Sequence, residues 1–212
     1  VLKASVLAIA FWIAQFVYQY FFAEQGLLDA AVVRSFALSG ATLISAVLII
    51  GPLARLTKYN FLKHRRTLGV WGFTFVLMHF LAAFYFYFSF QLPLDITVIL
   101  FGIASMSLFI PAYLTSNDWA VARLGFRKWK FIHRLVYFAY ILSVVHYVLL
   151  GGNSVPKIAL LVVTAVALLL QLAAFSRTVA KTKNKKDVII GLLIILFGLV
   201  MFYLAYSGFF QA

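Results

Sequence analysis

Residues 68–90 read LGVWGFTFVLMHFLAAFYFYFSF, with no Asp, Glu, Lys or Arg and one histidine, His79. The hydrocarbon layer of a bilayer is crossed by a helix of ~20 predominantly apolar residues, and this stretch is long enough. Lys63, Arg65 and Arg66 stand just before it. An apolar span with a cationic edge on one side is the pattern of a membrane helix whose amino-terminal end faces the cytoplasm.

Working outward, six further runs have the same character. They are Ala4–Phe22, Ser35–Gly51, Ile96–Leu114, Phe131–Leu150, Ile158–Phe175 and Val188–Phe210. Hydrophobic residues make up 65% of the 212-residue chain and charged residues 11%. Soluble domains average ~45–50% apolar and ~25% charged residues, so the excess here must be covered by lipid. The reading is an all-α integral membrane protein, a bundle of about seven transmembrane helices forming one transmembrane domain over residues 1–212. The first apolar run has the length of a full span rather than of a cleavable signal segment.

The net charge is +13, from 18 Lys and Arg against 5 Asp and Glu. Such a balance in a soluble chain would suggest nucleic acid. Here the cations are gathered in alternate connections, which is a topology signal, and no nucleic-acid partner is expected. Arg55, Lys58, Lys63, Arg65 and Arg66 follow the second run. Arg123, Arg127, Lys128 and Lys130 follow the fourth, and Arg177, Lys181, Lys183, Lys185 and Lys186 the sixth. The intervening connections hold Glu24, Asp29, Arg34, Asp95 and Lys157. The rule that cytoplasmic loops are positive places the amino terminus inside and, with an odd number of spans, the carboxyl terminus outside. The chain contains no cysteine. That excludes disulfides, iron–sulfur clusters and thioether-attached haem.

Ionisable groups inside a membrane mark function by default. No span carries Asp or Glu near its middle, which argues against a carboxylate-driven transporter. Two spans carry a deep histidine: His79 in the third and His146 in the fifth. Counted from the basic edges at 1.5 Å per residue, both lie ~20–24 Å from the cytoplasmic face. The two helices run in the same direction, so the imidazoles share a depth, and two neutral imidazoles at one depth suit the axial positions of a haem iron. His133 and His64 form a second pair nearer the cytoplasmic side, ~20 Å away along the axis. His133 and His146 are ~140° apart around their helix, so two sites would use different sides of it. Each histidine also has a plainer reading, a hydrogen bond to a neighbouring carbonyl. Arg65, Arg66, Arg127 and Arg134 are candidates to pair with haem propionates at the inner face, Arg134 foremost because it adjoins His133. Trp71, Tyr137, Tyr140 and Tyr147 are candidates to line a porphyrin pocket. The aromatic run from Phe84 to Phe90 reads as an interfacial belt.

Several stretches are more specific than spacing. Gly51-Pro52-Leu53-Ala54-Arg55-Leu56, Arg65-Arg66-Thr67-Leu68-Gly69-Val70-Trp71, Leu77-Met78-His79, Thr115-Ser116, Arg123-Leu124-Gly125 and Trp129-Lys130-Phe131-Ile132-His133-Arg134-Leu135-Val136-Tyr137, ending at His146-Tyr147, resemble the MsrQ/YedZ family. These are haem-binding membrane subunits of periplasmic methionine sulfoxide reductase systems, within the ferric reductase-like transmembrane group. The likeness covers roughly residues 40–150. It implies a six-helix core, its haem-binding part at about residues 35–175, with the span near 188–210 as an addition. It implies one or two b-type haems, with His79 and His146 on the outer one and His133 on the inner; His64 is the candidate partner of His133 by its depth alone. It further implies electrons arriving from a cytoplasmic flavin reductase or from quinol, with FMN or quinone as further carriers, and leaving to a periplasmic molybdopterin-dependent reductase in a bacterial inner membrane. The chain has no G-x-G-x-x-G fingerprint, so nucleotide oxidation would belong to another chain. Two other readings compete. One is a stand-alone ferric or cupric reductase; the other is a non-redox transporter or scaffold whose histidines only hydrogen-bond.

Overall fold

The computed structural model describes residues 2–57, 62–90, 95–150 and 155–179, with isolated positions at 189, 192, 193, 196, 199 and 203. Among the described residues there is no strand. The elements are α1 (Leu2–Tyr18), continued by a π-helical turn (Gln19–Ala23), α2 (Leu28–Leu56), α3 (Leu62–Phe90), α4 (Ile96–Leu114), α5 (Asp118–Leu149) and α6 (Val155–Val179). Six of the described helices are long and apolar enough to cross a bilayer. Their backbone polar groups are bonded within each helix, the condition for crossing hydrocarbon. Large apolar side chains such as Leu7, Phe21, Leu81, Phe88, Ile103 and Leu169 are exposed, as a lipid-facing surface requires. The expected seventh span, Val188–Phe210, lies outside the described residues apart from the isolated positions. The chain is an all-α, multi-pass membrane protein.

The helices run further than the apolar runs do. Lys63, His64, Arg65 and Arg66, expected in a connection, occupy the first turns of α3. Arg123, Arg127, Lys128 and Lys130 lie within α5, which begins at Asp118 and is kinked at Gly125. Hydropathy detects the lipid-embedded part of a helix, whereas the backbone ladder continues into the interface where charged side chains reach water. Helix α2 likewise starts at Leu28 and passes through Pro52 to Leu56.

The helices fall into two compact units, Val1–Val47 with Leu62–Asp95, and Leu48–Phe61 with Ile96–Ala212. In the first, Ala8, Leu43 and Phe75 form a core to which Trp12, Phe36, Leu68 and Trp71 are added. The Trp12 ring stacks on Phe36 at 4.9 Å between centroids. Helices α2 and α3 cross with their backbones nearly touching. A Cβ on Gly40 would stand 3.0 Å from the Gly72 carbonyl oxygen, and one on Gly72 would stand 3.2 Å from the Ile44 nitrogen. Small residues at a crossing permit this approach in membranes, where packing rather than apolar burial drives association. Near the other end of α1, Glu24 is buried and paired with Arg34.

In the second unit, α4 and α5 form an antiparallel hairpin. Asn117 closes the turn: its backbone is extended (φ −142°, ψ 162°) and its Oδ1 accepts from the Ala120 N–H at 2.7 Å, the capping geometry that satisfies an orphan donor. Buried Ser105 donates to the Ala139 carbonyl at 2.8 Å and lies 2.7 Å from the Ser143 hydroxyl. Tyr140 ties α5 to α6 through Thr164 at 3.1 Å. Thr164 donates its own proton to the Leu160 carbonyl at 2.7 Å, so Tyr140 is the donor in that pair. Arg55, at the end of α2, donates to Gln171 of α6 at 3.1 Å.

Candidate functional site

The two deep histidines are held in the same way, each within its own unit. His79 sits on α3 with Nδ1 3.1 Å from the Val33 carbonyl oxygen of α2. His146 sits on α5 with Nδ1 2.8 Å from the Val98 carbonyl oxygen of α4. Both rings are half-buried. In each case the second helix of an antiparallel pair carries the imidazole and the first helix supplies the acceptor. A carbonyl oxygen only accepts, so Nδ1 carries the proton in both rings. In the neutral imidazole the lone pair then lies on Nε2. That is the arrangement in which a ligating histidine is oriented by a partner outside the coordination shell.

Packing explains why the acceptors are in place. On the α2/α3 side, the Gly40–Gly72 crossing lies about two helical turns from both Val33 and His79. The antiparallel register that brings these glycines together therefore carries His79 back to Val33. On the α4/α5 side, the bond from Ser105 to Ala139, joined by Ser143, fixes the register about two turns further along the hairpin. Gly102 lies beside the His146 ring: a Cβ there would be 3.2 Å from both Cε1 and Nδ1.

His133 has different surroundings. Its Nδ1 lies 3.1 Å from the Trp129 carbonyl oxygen one turn earlier, and its Nε2 lies 3.3 Å from the Ser116 hydroxyl. Its ring packs on that of Trp129 at 4.0 Å, and the Trp129 N–H donates to the Thr115 carbonyl at 2.9 Å. Ser116 also donates to the Ala112 carbonyl at 2.7 Å. A hydroxyl has one proton, so the shorter bond to Ala112 competes with donation to His133. Arg134 follows on the same helix and is half-buried.

His64, Arg65 and Arg66 share the first turns of α3, with His64 and Arg66 exposed. Trp71 directs its indole N–H to Ser5 of α1 at 2.9 Å and packs on Phe75. Tyr137 and Tyr140 line a small cleft with Leu48, Thr164 and Gln171. Among the described residues no three His, Asp or Glu side chains gather into a metal cage. The Val33 and Val98 carbonyls and Gly102 were absent from the residues singled out in the sequence. A backbone acceptor has no residue signature, and a helix glycine signals only close packing. The sequence clue that did exist was register: each acceptor stands near the start of the helix preceding the histidine's own.

A family model described as ferric reductase like transmembrane component matches residues 35–144. Proteins from Brucella ovis, Brucella canis and Brucella abortus, each described as "Protein-methionine-sulfoxide reductase heme-binding subunit MsrQ", are 32% identical over 164 residues. The match covers 73% of this chain and 74% of each relative. The region matched by the family model takes in most of the α2/α3 and α4/α5 hairpins, and the chain belongs to the ferric reductase-like transmembrane family and to its MsrQ/YedZ members.

Proposed function

We propose that this chain is the transmembrane electron-transfer subunit of a reductase system and holds b-type haem through His79 and His146. The observation that carries the reading is the shared treatment of the two rings. Each Nδ1–H is bonded to a main-chain carbonyl, leaving Nε2 as the basic atom in a neutral imidazole. Neutral nitrogen donors fixed in this way would suit the iron of a haem, which needs only one or two ligands from the protein rather than a full cage. The equal depth that the sequence gives the two positions supports assigning them to one iron.

When bound, haem supplies a one-electron couple within the bilayer, and the protein's part is to orient ligands and set polarity around it. Val33 and Val98 hold the ring planes. Apolar side chains of each hairpin exclude water. His133, braced by Trp129, is proposed as a ligand nearer the cytoplasmic side, with His64 as its candidate partner. Arg65, Arg66 and Arg134 are proposed to meet the propionates, and Trp71 to shape the pocket wall from its anchor on Ser5. The resemblance to subunits named for methionine sulfoxide reductase supports a periplasmic molybdopterin-dependent acceptor. On the cytoplasmic side it supports a flavin reductase or quinol donor, with FMN or quinone involved. The resemblance supports a bacterial inner-membrane location, and the alternating cation clusters support an amino terminus in the cytoplasm.

The test is electron flow across a sealed bilayer. Haem-loaded protein is placed in vesicles containing ferricyanide and an impermeant reductant is added outside. The trapped oxidant should be consumed, and protein with both His79 and His146 changed to Ala should not support it. Equal rates from wild type and the double variant would refute the proposed role.

A further inference from the structure

Gly102 is the place on α4 where a side chain would collide with the His146 imidazole. It lies one turn beyond Val98, whose carbonyl accepts the ring's N–H at 2.8 Å. The two contacts therefore come from one face of α4 and bear on one edge of the ring. A Cβ at position 102 would stand 3.2 Å from Cε1 and 3.2 Å from Nδ1, with Cγ at 3.9 Å. Carbon atoms meet comfortably at about 3.5–4.0 Å, so the ring would have to yield by a few tenths of an ångström. It is constrained in doing so: the hydrogen bond to Val98 draws it towards α4 while the new methyl pushes it away. The Cβ contact falls on the nitrogen that makes that bond and on the carbon between the two nitrogens. Tilting the ring to relieve the clash therefore redirects Nε2.

We propose that Gly102 is a positioning residue for the His146 imidazole, its missing side chain being the space in which the ring edge is seated against the Val98 carbonyl. The inference rests on the ligation of haem iron by His146 proposed above. Gly69 provides the comparison. It lies in another spanning helix, and a Cβ there would meet only Val47, at an ordinary 3.9 Å.

The experiment compares purified, haem-loaded wild type with Gly102→Ala, Gly69→Ala and His146→Ala. The g-anisotropy of low-spin ferric haem follows the orientation of its axial imidazole planes, and the reduction potential follows the strength of ligation. In Gly102→Ala both should shift, and haem affinity should fall ~10-fold, the lower end of the effect of disturbing a ligand's orienting contacts. Gly69→Ala should match wild type in all three. A wild-type spectrum, potential and affinity in Gly102→Ala would overturn the inference.

His146→Ala separates this failure from that of the reading beneath it. If it keeps the complete haem spectrum, ligation by His146 is wrong. If it loses a haem while Gly102→Ala is unchanged, only the role of Gly102 is wrong. A further arm uses His146→Gly with free imidazole in the ligand position, with and without the Gly102→Ala substitution. An untethered ring can shift to suit the methyl, so the two proteins should give the same spectrum. Should Gly102→Ala alone fail to accumulate, recovery in the His146→Gly background supports a clash with the ring. Failure in that background too assigns the defect to helix packing and overturns the inference.

Discussion

An imidazole in a membrane helix has two fates, to hydrogen-bond or to ligate, and His79 and His146 show that these are not exclusive. The bond each ring makes through Nδ1 is the plainer reading foreseen from the sequence, and it also prepares Nε2 for a metal. Sequence could supply the histidines and their depth. It could not supply Val33 or Val98, because the groups that act there are carbonyls common to every residue. At this scale the Ser105 cluster has a measurable role. Its hydroxyl joins α4 to α5 at Ala139 and Ser143, and interhelical hydrogen bonds in membranes are worth ~0.6–1.7 kcal/mol. Ser105→Ala should lower stability by about that amount in a reversible micellar unfolding assay. An unchanged midpoint would show that the cluster does not hold the hairpin.

At the scale of elements, the helices were legible as lipid-embedded cores and illegible at their ends. The residues 131–150 marked α5 because they are apolar. Its extension back to Asp118 is amphipathic and carries cations, so hydropathy gave it to a connection. Within that extension Gly125 adopts φ 74°, ψ 151°. Only glycine enters this region readily, and other residues there cost ~1–3 kcal/mol. Gly125→Ala should therefore lower thermal stability by that order, whereas a neutral or stabilising effect would mean the kink is dispensable. The α2/α3 crossing makes a sharper demand, since a Gly72 side chain would meet Ile44 Cγ1 at 2.9 Å and also the Ile44 backbone nitrogen at 3.2 Å. Backbone cannot rotate aside as a side chain does. Gly72→Val should cost at least the ~1–3 kcal/mol typical of overpacking. It should also disturb His79, whose acceptor depends on the same register; an unchanged melting point and haem spectrum would argue against that coupling.

For the whole molecule, charge asymmetry is the feature that sequence shows most directly, because topology depends on counts of Lys and Arg near span ends rather than on packing. The absence of cysteine makes orientation easy to measure. Lys63→Cys and Asp95→Cys place single thiols at opposite ends of α3 and the connection beyond it. An impermeant maleimide applied to intact spheroplasts should label position 95 and leave position 63 unlabelled until the membrane is opened. The reverse pattern would invert the proposed direction of electron flow.

The ligand assignment is the assertion on which the molecular function turns, and difference spectroscopy reaches it directly. Reduced-minus-oxidised spectra should be recorded on wild type, His79→Ala and His146→Ala, purified after expression with ample haem. Both variants should lose the same b-type component, with any second component retained in each. A full wild-type band in either variant, or the loss of different components from the two, would contradict the assignment of His79 and His146 to one iron.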